Sequence, residues 1–272
     1  MCVRQRFSVK DADLDQTVTY TRRTVKKVLY PLAERISAEA RARFEQSERS
    51  ELGRRNRPDR DRYLLALAGP PGCGKSTMAA VLRGIFTTKG IRTLILPLDG
   101  FHLKNEELRT RKIAEGDGSL SLYERKGAKE SYDAERLIRA VKGLGKGDPI
   151  IWPVYSRTLH EPVDDGVPVR GGGCICIIEG NYLLLDVEPW SRLQEFFDKR
   201  IMILGKSALM RKRIVSRKMR GGFTRAEAEA HFRRSDALNI AEVIERSAGY
   251  DLLLTQRGRH AFSERAAETG GR

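Results

Sequence analysis

Tyr63-Leu64-Leu65-Ala66-Leu67-Ala68-Gly69-Pro70-Pro71-Gly72-Cys73-Gly74-Lys75-Ser76-Thr77 is the stretch around which the rest of the chain is organised. An apolar run of strand length leads into glycines, then into Lys-Ser-Thr and a helical pattern. Gly69, Gly74, Lys75 and Ser76 match the spacing G-x-x-x-x-G-K-[ST] of a phosphate-binding loop, in the strand–loop–helix context that the motif requires. Glycines let the backbone wrap a phosphate with its N–H groups pointing inward, where a side chain would obstruct the approach. The following helix directs the positive end of its dipole at the same place. The stretch therefore predicts a nucleoside-triphosphate site built from Gly69, Gly72, Cys73, Gly74, Lys75, Ser76 and Thr77. Lys75 is expected to reach the β- and γ-phosphates, and the Ser76 hydroxyl to ligate Mg2+.

A chain of 272 residues can hold one α/β domain of about 200 residues plus an appendage. No uninterrupted apolar run approaches membrane-spanning length, so no membrane partner is expected. The N-terminus is basic but lacks the apolar core of a secretory signal, and Asp11, Asp13 and Asp15 argue against a mitochondrial presequence. Cys2, Cys73, Cys174 and Cys176 show no CxxC spacing, which argues against disulfide or zinc frameworks and fits a reducing, cytoplasmic setting. The net charge of +15 could mark a nucleic-acid binder or an enzyme for anionic ligands. Much of the excess is local, as in Arg54, Arg55, Arg57, Arg60 and Arg62, and no nucleic-acid module is recognisable. The enzyme reading is therefore preferred and nucleic acid is not expected as a partner.

Residues 1–59 read as an N-terminal helical extension and charged linker, residues 60–256 as the domain, and 257–272 as a polar, disordered tail. Within the extension, 13–49 reads as helix, with Val25, Val28, Leu29, Leu32 and Ile36 on one apolar stripe and a kink or restart at Pro31. The stripe packs either on the domain or on a second subunit, which leaves a homodimer open. A second apolar run over 91–98 ends at Asp99. Ligands of parallel α/β sheets sit at the carboxyl ends of strands, so Asp99 shares an edge with the loop and suits a general base; a turn or cap aspartate is the plain alternative. Residues 103–130 are polar and glycine-bearing, and much of this stretch reads as irregular. Residues 133–144 read as helix, and the glycines over 143–147 as its stop. Short extended segments are expected over 149–155 and 161–169, and a buried parallel strand over 174–178. That strand ends at Glu179, which either partners the loop as magnesium or substrate ligand or faces solvent. A helix over 206–220 carries Arg213 and Arg217, stops at Gly221-Gly222, and is followed by a Thr224/Glu227 capping box and a helix over 224–247. This pair is either a lid that closes on phosphates or a solvated basic face.

With these residues assembled, 60–256 resembles the phosphoribulokinase/uridine kinase superfamily of P-loop kinases, which includes pantothenate kinase, and within it the nucleoside-kinase-like and sugar-kinase-like members. The likeness rests on the phosphate loop, Leu98-Asp-Gly-Phe-His102, Arg125-Lys-Gly-Ala128, Pro153-Val-Tyr-Ser-Arg157, Glu179-Gly-Asn-Tyr-Leu-Leu-Leu185 and Arg213-Ile-Val-Ser-Arg217. The resemblance implies an α/β fold of the three-layer P-loop NTPase type, with a five-stranded parallel sheet in order 2-3-1-4-5. It also implies ATP- and Mg2+-dependent phosphorylation of an alcohol on a sugar-, nucleoside- or pantothenate-like metabolite. It places the general base at Asp99, the second carboxylate at Glu179 and lid arginines at Arg213 and Arg217. His102, Lys126, Tyr155 and Arg157 fall where the family lines its acceptor pocket. Two positions depart from the family pattern, Ser156 in place of Asp and Lys218 in place of Asp; both bear on the acceptor's identity more than on the reaction. A nucleotide-dependent switch or nucleic-acid-associated NTPase is the rival, against which neither Asn-Lys-x-Asp nor Leu-Ser-Gly-Gly-Gln occurs in the chain. A member retained for binding alone is a third reading, opposed by the presence of Lys75, Ser76, Asp99 and Glu179 together.

Overall fold

The structure is a computed structural model that describes residues 4–11, 14–51, 62–115 and 118–267. It opens with an antiparallel hairpin, β1 (Arg4–Asp11) and β2 (Leu14–Thr21), in which Phe7 faces Val18. This corrects the expected helix over 13–49. Thr17, Val18, Thr19, Tyr20 and Thr21 are β-branched or aromatic and favour an extended backbone, and the helical stripe begins only at Val25. The helix α1 spans 22–51. Thr21 caps it, its hydroxyl accepting the Thr24 N–H at 3.2 Å. Over Val25–Leu29 the winding widens to the π form, just before Pro31 removes a donor from the ladder. The chain thus accommodates the proline without a restart.

Val25, Val28, Leu29, Leu32 and Ile36 are buried in one cluster with Met78, Val81, Leu82 and Ile85. The stripe therefore packs on the domain itself, and the face invoked for a homodimer is covered within the chain. The charged linker expected before residue 60 lies mostly outside the described residues: α1 runs to Glu51 and β3 starts at Arg62.

The domain runs β3 (Arg62–Ala68), α2 (Lys75–Thr88), β4 (Arg92–Pro97), α3 (Asn105–Thr110), β5 (Lys112–Glu115), β6 (Gly118–Ser121), α4 (Ala134–Lys146), β7 (Ile150–Ser156), β8 (Glu161–Val169), β9 (Cys174–Gly180), β10 (Lys199–Leu204), α5 (Ser207–Arg220), α6 (Arg225–His231), α7 (Ala237–Arg246), β11 (Leu252–Gly258) and β12 (Ala261–Ala266). The main sheet has six strands in the order β12-β11-β10-β3-β9-β4. Every pairing in it is parallel except β11 with β12. β3 lies in the interior of the sheet and is buried along its length. Alternate residues serve opposite layers: Tyr63, Leu65 and Leu67 join the core beneath α1 and α2, while Leu64, Ala66 and Ala68 join the core beneath α4.

The sheet differs from the expected five strands by its antiparallel edge, and that edge overturns the expected disordered tail as far as Ala266; residues 268–272 lie outside the described residues. β11 continues to Gly258, and β12 returns beside it with Leu252 opposite Ala266. Half of β12 is polar (Ser263, Glu264 and Arg265); its anchor is the buried Phe262, on which Tyr20 packs edge-on at 5.9 Å. The stretch 103–130 is also more regular than expected, since α3 and the β5–β6 hairpin lie in it. β7 and β8 pair as a separate hairpin. Gly143 and Gly145 lie inside α4, which ends at the left-handed Gly147. The Thr224/Glu227 capping box forms, and the expected helix over 224–247 runs from 225 to 246 with a π-wound segment at Phe232–Asp236. No helix among the described residues is long and apolar enough to cross a membrane.

Since the arm shares the main core, Ile36→Ala is expected to destabilise the whole domain by about 2–4 kcal/mol in denaturant unfolding. A loss under about 0.5 kcal/mol, the range of ordinary surface changes, would show that the arm is an independent appendage.

Candidate active site

Parallel pairing brings three strand ends to one edge. Ala68 of β3 lies opposite Gly180 of β9, and Pro97 of β4 lies opposite Glu179 of β9. Glu179 therefore sits between the phosphate loop on one side and the Asp99 turn on the other. The loop runs from Gly69 into α2, and Gly74 takes φ +100 at the helix entrance, a left-handed conformation that side-chain-bearing residues rarely adopt. Cys73 is buried, and burial raises its thiol pKa, so it serves as packing beneath the loop.

Lys75 is buried, and its Nζ donates to Asn181 Oδ1 at 2.7 Å and to the Pro70 carbonyl at 3.2 Å. Ser76 Oγ donates to Glu179 Oε1 at 2.9 Å. These two bonds tie the first turn of α2 to the end of β9. Ser76 and Glu179 form a hydroxyl–carboxylate pair that suits Mg2+, an ion that takes one or two protein oxygens and completes its shell with water and phosphate. Thr77 follows in α2, half-buried. Arg213 of α5 donates through Nη1 to the Gly72 carbonyl and to Gln256 Oε1, each at 3.0 Å.

Asp99 lies in the tight turn Leu98–Phe101 after β4 and is exposed. Gly100 is required there, since a Cβ would lie 2.0 Å from the Pro153 carbonyl oxygen of β7. The Trp152 indole N–H donates to the Pro97 carbonyl at 2.9 Å and further pins the turn. Tyr132 donates its hydroxyl to Asp99 Oδ1 at 3.3 Å, and burial followed by the Asp99 charge holds that phenol well above its usual pKa. His102 Nδ1 lies 2.9 Å from the Asp99 carbonyl, the geometry of an Nδ1–H donor. Its ring stacks against Tyr132 at 3.9 Å and approaches Tyr155 at 5.3 Å. Burial lowers the His102 pKa, with the Asp99 charge and hydrogen bond opposing.

Lys126 Nζ lies 5.1 Å from the Tyr155 ring centroid and donates to Asn105 Oδ1 at 2.6 Å and to the His160 carbonyl at 2.7 Å. Burial lowers its pKa, with the Glu161 charge opposing. Burial, then the Asp99 charge, pushes the Tyr155 phenol up to about 12. Tyr182 ties down the 125–128 turn by donating to the Gly127 carbonyl at 2.6 Å.

The structure thus gathers the named residues into two groups on one edge. Lys75, Ser76 and Glu179 surround the loop, while Asp99, His102, Tyr155 and Lys126 chain together through ring contacts and hydrogen bonds beside it. Arg213 joins the loop. Arg157, in the β7–β8 turn, and Arg217, on α5, are exposed, and among the described residues no hydrogen bond or ion pair joins their side chains to either group. Asn181, Tyr132 and Gln256 were not singled out from the sequence. Asn181 was findable, since it directly follows the strand end at Glu179. Tyr132 and Gln256 carry no motif.

A mostly parallel sheet with a phosphate loop after a central strand defines a P-loop α/β nucleotide-binding protein. The comparisons sharpen this. Residues 64–246 match the model of the phosphoribulokinase/uridine kinase family, and the chain belongs to that family. It is 36% identical over 208 residues to the uncharacterised protein YggC of Escherichia coli K12, covering 74% of this chain and 82% of that one. It is 32% identical over 202 residues to a protein of Schizosaccharomyces pombe named as a candidate uridine kinase, covering 72% and 83% of the two chains. Among solved structures, a candidate fructose transport system kinase from a Silicibacter species aligns with a TM-score of 0.64 and 30% identity, over 80% of this chain and 98% of its own.

The depressed His102 pKa has a stability consequence. The unfolded chain takes up the histidine proton first as pH falls below about 6.5. This linkage therefore lowers stability between that pH and the lower folded value, and leaves it intact above. An NMR titration of the imidazole is expected to give a midpoint below the unfolded one, and His102→Phe is expected to flatten this part of the stability–pH curve. A midpoint at or above the unfolded value would contradict the buried stacking geometry.

Proposed function

We propose that this chain transfers the γ-phosphoryl group of ATP to an alcohol on a small sugar-, nucleoside- or pantothenate-like metabolite. The observation that carries the proposal is the placement of Asp99, held by Tyr132, one strand from Glu179 and two from the phosphate loop. A base and a triphosphate cradle then face one space from the strand ends on either side of β9. The names of the relatives, a candidate uridine kinase and a candidate fructose transport system kinase, support the nucleoside and sugar parts of the acceptor range.

In this reading the loop amides from Gly72 to Ser76 and the Lys75 ammonium bind the triphosphate and offset charge spread over the transferring phosphoryl. The Tyr132 hydroxyl occupies one Asp99 oxygen and orients the carboxylate, and the other oxygen accepts the proton of the attacking alcohol. Ser76 and Glu179 would hold Mg2+, which when bound supplies positive charge at the phosphate oxygens. Lys126, Tyr155 and His102 form the wall against which the acceptor is oriented, with Arg157 at its rim. Arg213 sits on the loop, and Arg217 lies four residues along the same helix. Ion pairs Arg211–Glu229 at 2.7 Å and Lys218–Asp236 at 3.5 Å couple α5 to the helices after the Gly221-Gly222 turn, so the pair can serve as a lid that shields the site from water while Arg213 stays fixed on the loop.

An ATP-consumption screen over sugars, polyols, nucleosides and pantothenate, with the product weighed by mass spectrometry, tests the reading. ATP hydrolysis stimulated by RNA or DNA with no phosphorylated metabolite would overturn it. On the acceptor so found, Lys75→Ala is expected to abolish turnover. Asp99→Asn is expected to slow it by roughly 10²–10⁴-fold while ATP binding is kept; full rate in Asp99→Asn would remove Asp99 as the base.

A further inference from the structure

The N-terminal hairpin and β12 lie outside the family-matched residues, and they meet beside β11, the strand that carries Gln256. Thr21 donates its N–H to the His260 carbonyl at 2.8 Å, and His260 Nδ1 lies 2.7 Å from the Thr19 carbonyl. Phe262 donates its N–H to Thr24 Oγ1 at 3.1 Å. Tyr20 packs edge-on against Phe262 at 5.9 Å and against Phe7 at 6.1 Å. Across the β11–β12 pairing, Phe262 is the partner of Gln256. Gln256 is 1% exposed, and its Oε1 accepts from the same Arg213 nitrogen that reaches the Gly72 carbonyl. Tyr20 is close enough to feel the Arg213 charge, although burial dominates and pushes its phenol up to about 12.

A guanidinium is always charged, and this one lies against the loop, its Nη1 3.6 Å from where a Cβ on Gly74 would stand. Arginine on a helix has many rotamers, and holding one of them costs side-chain entropy. An acceptor oxygen on a buried side chain, held in a strand paired on both sides, removes that freedom before any ligand arrives, which is preorganisation. We propose that Gln256 is a positioning residue that clamps Arg213 onto the phosphate loop, and that the N-terminal hairpin and β12 are the brace that holds Gln256. The appended ends then belong to the donor-binding machinery. This inference rests only on the donor half of the proposed function. If the protein binds ATP but phosphorylates nothing, the kinase reading falls and the clamp stands.

The test is equilibrium binding of a fluorescent ATP analogue to the full chain, with melting temperature measured alongside. Gln256→Leu keeps the volume and removes the acceptor, and is expected to weaken binding about tenfold, the scale of a hydrogen bond to a charged group. Gln256→Glu keeps an acceptor at the same place and is expected to restore affinity to within about twofold of wild type. In an Arg213→Ala background, Gln256→Leu is expected to add no further loss. Should Gln256→Leu fail to fold, Gln256→Met removes the acceptor on a flexible chain and is read the same way. Unchanged affinity in the acceptor-less variant, an equal loss in Gln256→Glu, or a full additional loss without Arg213 would each overturn the clamp.

Discussion

The register between β3 and β9 is the constraint from which the site follows. It sets the phosphate loop beside the end of β9, so that Lys75 reaches Asn181 and Ser76 reaches Glu179. A slip of one residue would turn Glu179 to the opposite face of the sheet and remove both contacts. The Lys75 ammonium is buried, and the two oxygens it bonds are neutral. Burying a charge against neutral dipoles is unfavourable relative to water. A phosphate in the loop supplies the opposite charge, so the arrangement is built to favour an anionic ligand over solvent.

The two halves of the site are built differently. The donor half is mostly backbone, held by strand pairing and by hydrogen bonds between neighbouring strand ends. The acceptor half is aromatic: His102 stacks against Tyr132 and tilts toward Tyr155, and Tyr182 and Trp190 support Tyr132 from behind. Rings and a half-buried Lys126 offer both apolar contact and charge-assisted hydrogen bonding. In the proposed reading the donor half would serve any triphosphate, and acceptor choice would reside in side chains drawn from loops and hairpins.

Most of the donor half was legible because its chemistry is local. The glycine spacing, the preceding apolar run and the carboxylates at Asp99 and Glu179 all lie within a few residues of a strand end. The hairpin at the N-terminus was misread because five strand-favouring residues, 17–21, run directly into a helical stripe, and the stripe dominates the periodicity. β12 escaped because one large apolar residue, Phe262, anchors a short strand of small and polar residues whose hydrogen bonds go to β11. The same non-locality hid Tyr132 and Gln256. Their roles come from partners 33 and 43 residues away, Asp99 and Arg213, and no spacing rule links them.

The central claim is that the loop edge and the Asp99 edge form one phosphoryl-transfer site. Its most direct test is to incubate the protein with γ-labelled ATP and a small-molecule extract, and to follow the label by chromatography and mass spectrometry. The account predicts label on one hydroxyl-bearing metabolite, in a product heavier by a single phosphoryl group. Label released solely as inorganic phosphate, whatever small molecules are present, would contradict it.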